Sequence, residues 1–123
     1  MPSPTSAVDP TLLADLSAIA DLLLKYDKHS ATRFDSRLRS AYPSDGRLVE
    51  TFDTNEFWGG AGSLADQGMC LATPPDTASF RDARRAYWRH MASLGRSLLS
   101  RGAVNPRLSG WVDVFERWCK DGL

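Results

Sequence analysis

The chain has 123 residues, 42% of them hydrophobic, and 15 acidic side chains against 15 basic ones. A chain of this length buries roughly two-thirds of its unfolded surface as one domain. It therefore needs no staple, its apolar content excludes a disordered protein, and its neutral balance excludes the basic excess of a nucleic-acid binder.

Residues 1–8, rich in Pro, Ser and Thr, read as a flexible tail, and residues 9–123 as a single helical domain. Asp9 and Pro10 are a cap followed by a ring preset for a first turn. A helix from about 10 to 28 follows, with Leu12, Leu13, Leu16, Ile19, Ala20, Leu23 and Leu24 as its apolar stripe. Asp15 and Asp21 are expected off that stripe. They also break the longest apolar run, which rules it out as a membrane span. With no basic, apolar leader at its start, the chain is expected in the cytoplasm.

Ser30 is the expected cap of a second helix carrying Ala31, Phe34, Leu38 and Ala41, which Pro43 stops. Leu48, Val49 and Phe52 suit a short helix, with a strand over Arg47–Phe52 as the alternative. Ser63 and Asp66 have capping-box spacing ahead of a short helix with Leu64, Met69, Cys70 and Leu71. Asp76 or Thr77 opens a long helix to about Arg101, buried along Phe80, Ala83, Tyr87, Met91, Leu94 and Leu98, with Gly102 as its left-handed stop. Asn105–Pro106 starts the last helix, with Leu108, Trp111, Val112, Phe115, Trp118 and Cys119 inward and Gly122 as its end. The expected fold is all-α: a compact bundle of five or six helices with orthogonal or irregular packing.

The chemistry rests on few groups. Gly59, Gly60, Gly62, Ser63 and Asp66 lie in the stretch FWGGAGSLAD, and Gly60, Gly62 and Ala65 fit a relaxed dinucleotide fingerprint. That motif needs a strand before it and a long helix after it, and neither is expected; a P-loop would need a lysine that is absent. What remains is a turn between helices, or an anion nest made by the amides of Ala61, Gly62 and Ser63. The run Phe57-Trp58-Gly59-Gly60-x-Gly62-Ser63-Leu64-x-Asp66 resembles the G-G-x-G-S-[Leu/Phe]-x-Asp signature of small helical bacterial proteins of unknown function. It departs from them at Ala65-Asp66-Gln67, where Asn-Asp and an apolar residue are usual. The resemblance implies a turn into a helix and, through expected neighbourhoods of toxin or secretion genes, a stoichiometric inhibitor.

Twelve of the 15 cations are arginine. Arg81, Arg85 and Arg89 recur every four residues, extended by Arg96 and flanked by Arg84, Trp88 and His90. With Trp58, these make a candidate partner surface of the residue types that dominate hot spots: Trp58, Arg81, Arg85, Trp88, Arg89 and Arg96. Solvated pairing with the aspartates of residues 1–30 is the plain alternative. Cys70 and Cys119 read as buried free thiols. His29 and His90 lack the further ligands a zinc site needs, and only the fold would join His90 to Asp66 or Asp82. Asp53, Glu56 and Asp66 cluster near the glycines, where capping and solvation account for each.

The reading is a non-catalytic, cytoplasmic protein-interaction module, of immunity or adaptor type, with one protein partner, no metal and no cofactor. A homodimer is the variant form. The alternatives are a small enzyme or anion binder at the Gly59–Asp66 turn, and single-stranded nucleic-acid binding along Arg81–Arg96.

Overall fold

The computed structural model describes residues 10–41, 45–59, 63, 65, 68, 69 and 77–121. The fold is all-α, with no strand among the described residues: α1 (Pro10–Tyr26), α2 (Lys28–Ala41), α3 (Asp45–Phe52), α4 (Asn55–Trp58), α5 (Ala78–Ser100) and α6 (Leu108–Asp121). The helix reading of Arg47–Phe52 holds and the strand alternative falls. The tail 1–8, Asp9, Pro43, the short helix over Leu64, Cys70 and Leu71, and Gly122 lie outside the described residues.

The buried stripe of α1 is narrower than the apolar run suggested. Leu12, Leu16, Ile19 and Leu23 are fully buried, whereas Leu24 is 62% exposed. Four positions per helix at this spacing suffice to face one neighbour. Helix α1 also ends two residues early. Asp27, not Ser30, caps α2: its Oδ1 accepts from Ser30 N–H at 3.2 Å and its Oδ2 from Met69 N–H at 2.9 Å. One buried carboxylate thus satisfies a helix start and ties down a residue with φ of +62°. A sequence scan favours the nearer hydroxyl because it cannot see the distant amide.

Helix α5 is bounded as expected. Thr77 Oγ1 accepts from Phe80 N–H at 3.1 Å, which selects Thr77 as the cap. At the other end Gly102 takes φ of +95°, and Gly102 N–H and Ala103 N–H donate to Leu99 O and Leu98 O at 3.1 and 3.0 Å. The chain reverses there, and Asn105 starts the next turn, its Oδ1 accepting from Arg107 N–H at 3.0 Å. Asp53, at the end of α3, holds this corner by accepting from Val104 N–H and Asn105 N–H at 2.8 and 2.9 Å.

Helices α5 and α6 lie antiparallel, since Trp88 meets Trp118 and Gly95 faces Val112 and Leu108. The approach at Gly95 is close. A Cβ there would overlap Val112 Cγ2, with Trp58 Cη2 3.7 Å away. Gly95→Ala gains about 1 kcal/mol of helix propensity. It loses more to overpacking of a branched side chain that has no slack, at about 1–3 kcal/mol. A net fall in the urea midpoint is the expected result, and a rise would mean that Val112 has room to yield at the α5–α6 seam.

The aromatic core lies under α2, α3 and α4. Phe34, Phe52 and Phe57 sit with ring centroids 4.8–5.8 Å apart, and Trp58 continues the row from Phe57 at 5.2 Å. These spacings suit edge-on and tilted ring contacts.

Candidate functional site: a cationic groove between two helices

The six expected contact residues divide by burial. Trp58 is 0% exposed and Trp88 8%. The expectation that they present rings to a partner is therefore corrected: Trp58 fills the core and donates its indole N–H to Phe52 O at 2.6 Å. Trp88 packs on Trp118 at 5.2 Å and carries the Arg84 guanidinium 5.0 Å above its ring. Trp111 and Trp118, expected inward on the last helix and seven residues apart, are only partly buried. Spacing shows that two residues share a face; it does not show how deep that face lies.

Arg81, Arg85, Arg89 and Arg96 are exposed along α5, as their spacing requires. A groove of about 540 Å³ runs beside them between α5 and α6. Its lining comes from Arg89, Ala92, Ser93 and Arg96 on one helix and Glu116, Cys119 and Lys120 on the other. Most of that lining is apolar. Arg96 Nε donates to Glu116 Oε2 at 2.6 Å, and its Nη2 makes a second contact to the same oxygen. Neither Arg85 nor Arg89 has an ion-pair partner among the described residues. The lining thus carries three cations, Arg89, Arg96 and Lys120, and one carboxylate, Glu116, which Arg96 already engages.

Cys119 lies at the groove floor, partly buried, with Sγ 3.5 Å from Arg85 O. Burial pushes its thiol pKa up, and the nearby Arg89 and Arg85 guanidinium groups only partly offset this. A thiol held protonated is a poor nucleophile, so the floor behaves as apolar surface. The expectation of a buried thiol is met here in part, and Cys70 lies outside the described residues.

A residue trio that the sequence reading missed joins α5 to α1. Asp15 is 6% exposed, not off the stripe. Its Oδ1 pairs with His90 Nδ1 at 2.9 Å and its Oδ2 accepts from Ser93 Oγ at 2.5 Å. The residue types are those of a hydrolase triad, but the order is wrong. In a triad, histidine stands between serine and carboxylate and takes the serine proton. Here the carboxylate stands in the middle, so no imidazole is placed to take the Ser93 proton, and the trio is arranged as an α1–α5 clasp. The only sequence signal was the period: Asp15 lies three residues after Leu12 and four before Ile19. The fold joins His90 to Asp15 rather than to Asp82, which is exposed; Asp66 lies outside the described residues.

At the glycine stretch, Gly59 is partly buried and Ser63 buried, while Gly60, Gly62 and Asp66 lie outside the described residues, as does the Glu56 side chain. Asp53, the one member of that carboxylate group with a described side chain, is engaged by the Val104 and Asn105 amides. A second groove of about 460 Å³, between α1 and α2, is lined by Asp21, Asp35, Lys28 and Arg39 beside exposed Leu24. Its charges balance and Arg39 already pairs with Asp35 at 2.8 Å, so it has no preferred sign of ligand.

Among the described residues no three His, Cys, Asp or Glu side chains are grouped to hold a metal ion. None of the described helices is long and apolar enough to cross a membrane. No protein-family model matches this chain, and neither a curated protein nor a solved structure does.

Proposed function

We propose that the chain is a non-catalytic interaction module that engages one protein partner by surface complementarity, in the manner of an immunity or adaptor protein. The observation that carries this reading is the pair Arg89 and Lys120 at the rim of a largely apolar groove, with Arg85 one turn before Arg89 on α5, near Cys119, and no ion pair to either arginine among the described residues. Arginine offers a planar, weakly hydrated fork suited to carboxylates at an interface. On this reading the glycine stretch serves as a turn between helices, as its resemblance to small helical bacterial proteins implies, and the chain works in the cytoplasm.

The burial of Trp88 weighs against single-stranded nucleic acid. A strand needs exposed rings to stack on, and the ring expected to supply them is covered by Trp118 and Arg84. The test is cross-linked affinity capture from the source cells, with stoichiometry read by mass spectrometry. One protein at a one-to-one ratio is the expected result. Recovery of nucleic acid alone would end the reading.

A further inference from the structure

We propose that the α5–α6 groove receives an acidic amphipathic helix of the partner, and that Glu116 occupies the place one of its carboxylates takes. The proposal rests on the reading that the chain binds a protein.

The shape of the groove argues for a helix. Its α5 wall is built from positions 89, 92, 93 and 96, and its α6 wall from 116, 119 and 120. Both follow the three-and-four spacing of a helical ridge, which a third helix fits by laying its own ridge between them. Ala92 and Cys119 are small, so the floor admits close approach of an apolar stripe. From Arg89 to Arg96 the α5 wall rises about 10 Å, the length of two turns.

Charge argues for acidity. Arg85 and Arg89 lie near Cys119, and Lys120 follows it directly, so the cations gather at one end of the groove. At the other end Arg96 already holds a carboxylate. That pair is open to solvent, with side-chain exposure of 63% at Arg96 and 38% at Glu116. Exposed pairs hold weakly and exchange readily. Glu116 is therefore an internal competitor for an incoming carboxylate, and removing its charge strengthens binding while leaving the groove shape intact.

The experiment uses the full chain and fluorescence anisotropy with three probes. The first is a synthetic helix bearing Glu beside a Leu stripe, the second carries Gln in place of Glu, and the third is an oligothymidine. Only the Glu helix is expected to bind. The variant R85E/R89E/K120E weakens it by about tenfold or more, and E116Q tightens it by about threefold. Circular dichroism melts confirm that both variants remain folded; all four positions lie at the surface or groove rim.

Unchanged affinity in the charge-reversed variant, weaker binding in E116Q, or preferential binding of the oligothymidine would each overturn the groove assignment. A captured protein partner that still binds R85E/R89E/K120E overturns the groove and leaves the interaction reading standing. Absence of any protein partner ends that reading itself.

Discussion

Trp58→Ala is expected to lower the unfolding free energy by about 3–5 kcal/mol, the range for truncating a large buried aromatic. The residue is fully buried, its ring lies against Phe57 at 5.2 Å, and its far edge reaches the Gly95 crossing of α5 and α6. It therefore couples the short α4 segment to the most tightly approached helix pair. Truncation also strips Phe52 O of its indole donor, and an unmet buried carbonyl adds about 1–3 kcal/mol if water cannot reach it. Against a total stability of about 5–15 kcal/mol for a domain, this loss leaves the protein marginal at 37 °C.

Trp58→Phe is expected to fall between the wild type and Trp58→Ala. It keeps a ring against Phe57 but loses the N–H and the far edge that reaches Gly95, so a loss of about 2–3 kcal/mol is expected, from the unmet carbonyl and a small cavity together. Urea titrations followed by circular dichroism at 222 nm read both variants without relying on tryptophan emission. The contrary outcome is informative: a Trp58→Ala chain with an unchanged midpoint would mean that the ring is not in the core.

The helices were legible because their signals are local. Thr77 followed by the Phe80–Leu98 stripe, and the Gly102 stop, are complete within a few turns of chain. The ridge of Arg81, Arg85 and Arg89 was legible for the same reason: four-residue spacing fixes a common face whatever surrounds it. Depth was not legible. Trp58 and Trp88 sit beside Gly59 and Arg89, polar or flexible company that reads as surface, yet both are covered by partners distant in sequence. Trp111 and Trp118 do pack against the core, on Phe115 and Trp88, but at its margin, where each is only partly buried. The same limit explains the carboxylates. Asp15, Asp27 and Asp53 read as surface charges or local caps. Each instead accepts from groups between 42 and 78 positions away. No window of one helix contains those partners.

The clasp at Asp15 yields the second large effect. Asp15→Ala is expected to cost about 2–3 kcal/mol, because hydrogen bonds to a charged group are each worth about 1.5–3 kcal/mol and two are lost. The value falls short of the sum for a physical reason. Ser93 lines the open groove and His90 keeps 28% of its side-chain surface, so water replaces part of what the carboxylate gave. Recovering the desolvation of a buried charge offsets a further part. Ser93→Ala alone removes one of the two bonds and is expected to cost about 1 kcal/mol. The double variant then discriminates between a clasp and two unrelated sites. If Asp15 and Ser93 act through their mutual bond, Asp15→Ala with Ser93→Ala costs less than the sum by at least about 0.5 kcal/mol. Additive losses in denaturant titrations would show that the Asp15–Ser93 bond does not help to hold α1 on α5. A hydrolase-like role for the trio would be restored by one result only: Ser93 reacting with a phosphonofluoridate probe in the native chain but not in Asp15→Ala.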